Sequence, residues 1–522
     1  MASYKNIQVV VSPKQAFVQS ELNEQIAKKI GTKVSRINTI QIIKKSTDAR
    51  KRNEIKINLT LNVYTDNTQP DKIEYPFHYQ NVQDKKPVLI IGAGPAGLFA
   101  ALRLIELGMK PIIIERGKMV SDRKKDIALL NRREGLNPES NYCFGEGGAG
   151  TFSDGKLFTR SKKKGDCSRI LLNFHMHGAQ DTILYEAHPH IGTDKLPTVI
   201  KNMRETILKY GGEIHFETKL SELIIQNDTI KGIKTVDGKQ WNADDVILAT
   251  GHSARDIYEM LNQQGVDLEC KGFAMGVRVE HQQLLIDQIQ YHSKEGRGNY
   301  LPAAAYNLVT QVEGRGVYSF CMCPGGFIVP ASTNIGEGVV NGMSSSLRNS
   351  KFANSGIVVE IRPEDLTDYQ QYGVMAGLKF QEEYERLSYE NGEGDKAIAP
   401  AQRLRDFVRG VASTDLPSTS YLPGIKNSPI HEWMPTFLRT RMQEGFKAFD
   451  QIMHGFLTND AIIIGVESRT SSPLRIPRNE ETLEHIRIKG LYPCGEGAGY
   501  AGGITSSAVD GERCAEMIAL KY

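Results

Sequence analysis

The residues with the clearest chemical potential are glycines at fixed offsets. Residues 88–97 read Val-Leu-Ile-Ile-Gly-Ala-Gly-Pro-Ala-Gly, and Glu115 closes the next apolar run, Ile112–Ile114. An apolar run, a glycine-rich turn, a helix and a second apolar run ending in a carboxylate form a unit that binds the ADP half of FAD or NAD(P). Gly92 makes the tight turn, Gly94 lets a pyrophosphate approach bare backbone, and Gly97 lets the helix pack close. That helix, about residues 96–107, aims its free N–H groups and positive dipole end at the phosphates. Glu115 follows Gly92 by 23 residues and is placed to accept hydrogen bonds from a ribose diol.

Three further stretches decide between the two dinucleotides. Ala249-Thr-Gly251 follows the apolar run Val246–Leu248, and its small residues let a crossing loop pass the nucleotide. Residues 490–505 carry glycine at 495, 497, 499, 502 and 503, which is bare backbone beside something bulky and flat. A helix starting near Ile504 would face the negative charge that a reduced flavin develops at its N1–C2=O edge, which favours FAD. Phe144-Gly-Glu-Gly-Gly-Ala-Gly-Thr-Phe-Ser-Asp-Gly-Lys156 repeats the glycine spacing, but no apolar strand precedes it. It reads as a backbone cradle around the cofactor's middle or its ring, with Lys156 either supplying positive charge near the flavin or making a surface ion pair. No second strand, glycine turn and helix is present for NAD(P). NAD(P)H would therefore dock transiently at the flavin face, or the electrons come from another redox partner.

Together these stretches resemble the FAD-binding fold shared by glutathione reductase-like and fumarate reductase-like flavoproteins. More closely, the chain resembles the bacterial family of uncharacterised FAD-dependent, NAD(FAD)-utilising dehydrogenases. The likeness rests on residues 92–97, 147–157, His190-Ile-Gly-Thr-Asp194, Ala249–Asp256, Cys321-Met-Cys-Pro-Gly-Gly326, Glu467-Ser-Arg-Thr-Ser-Ser-Pro473 and 495–511. It implies an FAD-binding domain with an inserted domain, and FAD contacts at Gly92, Gly94, Gly97, Glu115, Gly148, Gly251, Glu496, Gly503 and Ile504. Ala93, Pro95, Ala96, Arg116, Gly147, Ala149, Leu220, Thr250, Gly495, Gly502 and Thr505 complete the expected cofactor contacts. No substrate follows, because the family name is generic.

The candidates for catalysis are His190, Lys156, Cys321, Cys323 and Arg469. Cys321 and Cys323, two apart on a strand, point to one face. Both would face the flavin as a redox pair, or both belong to the core. His188 and His190 have a spacing that suits a metal, but no further Cys/His cluster supports one. One of them is instead a candidate general acid, or simply loop polarity. His252, Ser253, Arg255 and Asp256 fit proton donors and anion clamps, and Ser253 equally fits an N-cap for a helix over 255–261. Arg469 suits a bidentate grip on a carboxylate or phosphate, or a structural pair with Glu467.

The elements that must position these residues give an α/β chain of 522 residues. Residues 1–82 form a small basic α+β domain, with strands near 8–11, 37–44 and 55–63, a helix over 20–30, and a charged loop over 45–53. Residues 83–270 form the first part of a Rossmann-like FAD-binding domain. Residues 271–458 change to short strands, glycines and prolines and read as an inserted α+β substrate or cap domain. Residues 459–522 resume the FAD-binding domain, which is therefore discontinuous.

Net charge is +3 and charged content 24%, so no global electrostatic argument for nucleic acid exists. Lys28–Lys56 nonetheless holds ten Lys or Arg against two acids. The primary reading is an FAD-dependent oxidoreductase moving two electrons through flavin N5 to or from a small substrate between the two domains. The alternative is an RNA-associated flavoprotein whose basic N-terminal domain docks tRNA or another nucleic acid. No apolar leader or membrane-length run appears, and seven scattered cysteines suit a reducing compartment, so a cytoplasmic protein without membrane partners is expected.

Overall fold

The computed structural model describes residues 3–51, 54–66, 68–159 and 165–522. Val88–Ile91 are apolar throughout because their strand is buried on both faces, as a parallel sheet demands. It lies in the middle of a five-stranded parallel sheet in the order 491–493, 246–248, 87–91, 110–114, 213–215. Pro87, which has no N–H to give, stands exposed at the strand's start. One face is covered by the helices Pro95–Glu106 and Ile504–Ala519, which cross in close contact. A Cβ added at Gly511 would lie 2.1 Å from the Ala96 carbonyl oxygen, so only glycine permits this approach. The other face carries an antiparallel sheet of 220–226, 229–235 and 240–242, turned at Asp237-Gly238.

The second body is a seven-stranded mixed sheet in the order 309–312, 315–323, 352–361, 273–282, 462–467, 399–403, 425–427. Its two central strands are ten residues each, longer than the short strands expected from sequence. The reason is buried polarity. Along 273–282, Arg278, Glu280 and His281 break the apolar run, yet all three are buried. Each has a partner: Glu467 for Arg278, Ser420 for Glu280, and the Phe456 carbonyl for His281. The strand Ile462–Glu467 lies between 273–282 and 399–403. The sequence reading places it in the last FAD-binding segment; here it is a strand of the seven-stranded sheet.

Residues 3–66 form a three-stranded antiparallel sheet, order 3–11, 56–65, 37–48, packed on the helix Gln19–Ile30. The expected loop over 45–53 is shorter than read. The strand runs on to Asp48, which pairs with Lys56, and residues 52 and 53 lie outside the described residues. Within the basic stretch Arg36, Lys45, Arg50 and Lys56 each pair with a carboxylate. No helix among the described residues is long and apolar enough to cross a membrane.

Replacing Gly511 with alanine should force the two helices apart at a cost of about 1–3 kcal/mol. Thermal unfolding of the flavin-free protein should show a lower midpoint than Gly502→Ala, where an added Cβ meets nothing within 4 Å. Equal midpoints would contradict the close packing.

Candidate functional site

The first strand ends in a turn that brings three segments together. Gly92 has φ +105°, and a Cβ there would lie 2.5 Å from the Ala249 carbonyl oxygen, where the loop after Val246–Leu248 crosses. Gly97 packs against the Gly92 carbonyl in the same way. At Gly94, in contrast, an added Cβ meets nothing nearer than the Gly148 Cα at 3.9 Å, because this backbone faces a cavity. The Glu115 carboxylate is buried and accepts N–H bonds from Ala93, Gly117 and Gly145 at 2.8–3.0 Å. It thus ties the fingerprint to residues 144–150 and still lines the cavity, with about one acceptor site left for a ribose hydroxyl.

Residues 144–150 are held by a side chain that sequence reading missed. Arg123, fully buried, donates to the carbonyls of Asn141, Tyr142, Gly145, Glu146 and Gly148. Burial pushes its pKa down to about 10, against the pull of Glu115 and Glu146. Nothing in the spacing of Arg123 marks it, since its partners are backbone oxygens some twenty residues on. Gly147 then donates to the Ala93 carbonyl at 2.8 Å, docking this loop on the fingerprint.

The C-terminal glycine run supplies the third wall. Gly503, φ +136°, precedes the helix Ile504–Ala519, whose first residues border the cavity. Asp510 on that helix pairs with Arg478 at 2.6 Å and accepts the Gly495 N–H at 2.8 Å, which fixes the run in place. Cys494, Asp510 and Cys514 are close enough to hold a metal, but the Arg478 guanidinium, 3.8 Å from the Cys514 sulfur, already provides the positive charge.

Of the expected cofactor contacts, Gly92, Gly94, Pro95, Ala96, Glu115, Arg116, Gly148, Ala149, Leu220, Thr250, Gly251, Gly495, Glu496, Gly503 and Ile504 line one cavity of about 250 Å³. Ala93, Gly97, Gly147, Gly502 and Thr505 do not border it. Thr505 donates to the Leu157 carbonyl, and Gly502 donates to Ser506. The cavity continues to Phe320, Cys321, Asn341, Arg469 and Thr470 of the seven-stranded sheet and its connections. Phe320 and Asn341 carry no sequence signal of their own. The donor set fits FAD: two helix N-termini, bare backbone at Gly94 and Gly251, and a buried carboxylate at Glu115.

The candidate catalytic residues divide. His190 does not border the cavity. Its Nε2 lies 3.1 Å from the Ser346 carbonyl, and burial, helped by Arg348, pushes its pKa down. Arg469 borders the cavity but is no free anion clamp. It binds Glu337 at 2.6 Å and Glu385 at 3.0 Å, while Arg255 binds Glu385 at 2.6 Å. The expected Glu467–Arg469 pair does not form, because Glu467 belongs to Arg278 at 2.7 Å. Ser253 does not cap the helix Arg255–Gln263, whose N-cap is Ala254. Lys156 is half-buried and pairs with Asp154 at 3.6 Å: its Nζ lies 3.7 Å from Cys321 Sγ and 3.9 Å from Cys323 Sγ, and donates to the Met322 carbonyl.

Two titrating groups meet beside the glycine run. His252 Nδ1 lies 3.7 Å from a Glu496 oxygen, and its Nε2 lies 3.1 Å from the Arg469 carbonyl. Burial, with Arg469 adding to it, pushes the His252 pKa down to about 4. Burial pushes the Glu496 carboxyl up to about 7, with Lys271 opposing. The folded protein therefore keeps a proton on Glu496 that the unfolded chain loses above its usual 4.5. As pH rises from about 4.5 to 7, Glu496 takes stability from the flavin-free protein, while His252 adds stability over the lower part of that range. Glu496→Gln should therefore gain up to about 3 kcal/mol on the parent across that range, read as a difference in the slope of the unfolding midpoint against pH. Identical slopes would show that Glu496 is not a buried acid.

Comparison with known proteins is consistent along the chain. Residues 86–270 match the pyridine nucleotide-disulphide oxidoreductase family, and residues 272–470 match "FAD-dependent protein, C-terminal domain-like". Residues 3–64 match a domain of unknown function. An uncharacterised protein of Clostridium beijerinckii is 41% identical over 522 residues, covering 96% of each chain. Among solved structures, an E. coli quinol fumarate reductase is 12% identical over 84% of this chain and 71% of that chain, with a TM-score of 0.36. The L-proline dehydrogenase of P. horikoshii is 12% identical over 84% and 94%, with a TM-score of 0.33. The chain belongs to the family of uncharacterised FAD-dependent proteins that includes the C. beijerinckii sequence, and it is an FAD-dependent oxidoreductase.

Proposed function

We propose that the cavity holds FAD along its length and a small organic substrate at the end walled by the seven-stranded sheet. The observation that carries this is continuity: one cavity runs from Gly94 at the fingerprint to Phe320, Asn341 and Thr470. When bound, FAD supplies two-electron hydride exchange at its N5. The chain does the rest. The first turn of Pro95–Glu106 receives phosphate charge, and the first turn of Ile504–Ala519 favours negative charge on a flat ring beside it. Glu496 holds a proton close to neutral pH, and neutral His252 orients it. On this reading the chain divides into residues 1–82, an FAD-binding domain over 83–270 that resumes after residue 470, and an inserted domain between. NAD(P)H docking transiently at the open end is the electron source we favour, since a single glycine fingerprint occupies the parallel sheet.

The purified protein should show visible flavin bands, and anaerobic NADH or NADPH should bleach them rapidly. Flavin bands that neither coenzyme bleaches would overturn the nicotinamide donor and leave a substrate or protein donor. Gly94→Trp should fold, since its Cβ has room, and should lose at least about 90% of the flavin by filling the phosphate approach. Full flavin content in that variant would overturn the placement of FAD.

A further inference from the structure

We propose that Cys321 is the nucleophile of the flavin cavity, a thiolate seated against the Lys156 ammonium with Cys323 holding the proton, and that it takes a small soft electrophile. The proposal rests on the cavity being the working site.

The backbone gives the first argument. In a regular strand, neighbours face opposite ways, so Phe320 and Cys321 should not border the same cavity. Both do. The strand Arg315–Cys323 loses register with its neighbour between Phe320 and Cys323, and Cys321 sits at φ +46°, in the left-handed region that a residue with a Cβ avoids. Such a conformation is strained and persists only where the surroundings enforce it. Its effect is to turn one sulfur to the cavity while Cys323, with no exposed surface, stays behind it.

Charge gives the second. Lys156 is locked between the two sulfurs by its bond to the Met322 carbonyl. Asp154, 3.6 Å from Lys156, is already held by Arg348 at 2.6 Å. Arg278, from the strand beyond 352–361, donates to the Cys321 carbonyl and is paired with Glu467. Three cations, Lys156, Arg278 and Arg348, therefore face the two carboxylates Asp154 and Glu467 around the sulfurs. A Cys321 thiolate, its Sγ 3.7 Å from the Nζ of the half-buried Lys156, supplies the third negative partner.

The proton stays on Cys323, whose Sγ donates to the Cys321 carbonyl at 3.3 Å. The neighbouring Cys323 thiol pulls Cys321 well below the usual range, and Lys156 and Arg278 add to this against burial and Asp154. Cys321 and burial push Cys323 up. Burial lowers Lys156, but Cys321, Cys323 and Asp154 outweigh it, so the ammonium stays charged.

The probe is iodoacetamide, added to the full-length protein as purified, anaerobically. A sulfur–carbon bond forms at Cys321 and iodide leaves with the electron pair. Peptide mass spectrometry reads alkylation at each cysteine near pH 6 and again near pH 8.5. Cys321 should react at least about tenfold faster than Cys143, Cys167 and Cys270 at the lower pH, with little gain at the higher, whereas an ordinary thiol gains roughly tenfold per pH unit. Lys156→Met should slow it by about tenfold or more at the lower pH, and Lys156→Arg should restore it. As a readout free of access, the far-ultraviolet thiolate absorbance near pH 6 should drop in Cys321→Ser by one thiolate. A Cys321 that keeps an ordinary pH profile, or an unchanged absorbance in Cys321→Ser, overturns the proposal. Flavin bands with a slow Cys321 sink the thiolate alone. A fast Cys321 in a protein without flavin bands sinks the FAD reading alone.

Discussion

Four buried charges hold the cavity's two halves in register. Arg255 begins a helix of the FAD-binding part, while Glu337, Glu385 and Arg469 come from the part around the seven-stranded sheet. None has more than a small exposed fraction, and Glu385 has none. Moving such groups out of water is expensive, and removing one partner of a buried pair costs about 3–5 kcal/mol because the other is stranded. The two arginines and two glutamates satisfy one another only when both parts are docked. Arg469 and the His252 that bonds its carbonyl are cavity residues, so the geometry of the site depends on this closure. The Arg469 charge is paired with Glu337 and Glu385, so it is not free as an anion clamp in this arrangement.

What the sequence shows well is local. The strand, turn and helix over 87–106 obey spacing rules within twenty residues, and Gly92, Gly97 and Glu115 have the neighbours those rules require. The glycine run before Ile504 is legible for the same reason, since bare backbone and a helix start are written in consecutive residues. What it hides is long-range polarity. Arg278, Glu280 and His281 interrupt the apolar run of strand 273–282, and the partners that let them be buried lie between 140 and 189 residues away. Arg123 is hidden in another way: it binds carbonyls, which every residue has, so no partner type announces it.

The Cys321–Cys323 spacing shows the limit of periodicity. Two residues apart on a strand should share a face, and that rule left the pair either wholly at the flavin or wholly in the core. A register break and one left-handed residue make the two thiols unequal, one bordering the cavity and one behind it. A bulge of this kind depends on which neighbour the strand pairs with, and the pairing with 352–361 is not written in residues 315–323.

The same inequality organises the cavity's charge. The Cys321 thiolate raises the Glu496 carboxyl, adding to its burial, so the cavity resists a second negative group while the first is present. The positive end of the helix Ile504–Ala519 borders the same space and favours one more negative charge there. Covalent capture of Cys321 removes its charge and makes Glu496 a stronger acid, which frees a proton beside the glycine run. Reaction at the sulfur and proton release at Glu496 are therefore electrostatically linked through the cavity, without any movement of the backbone.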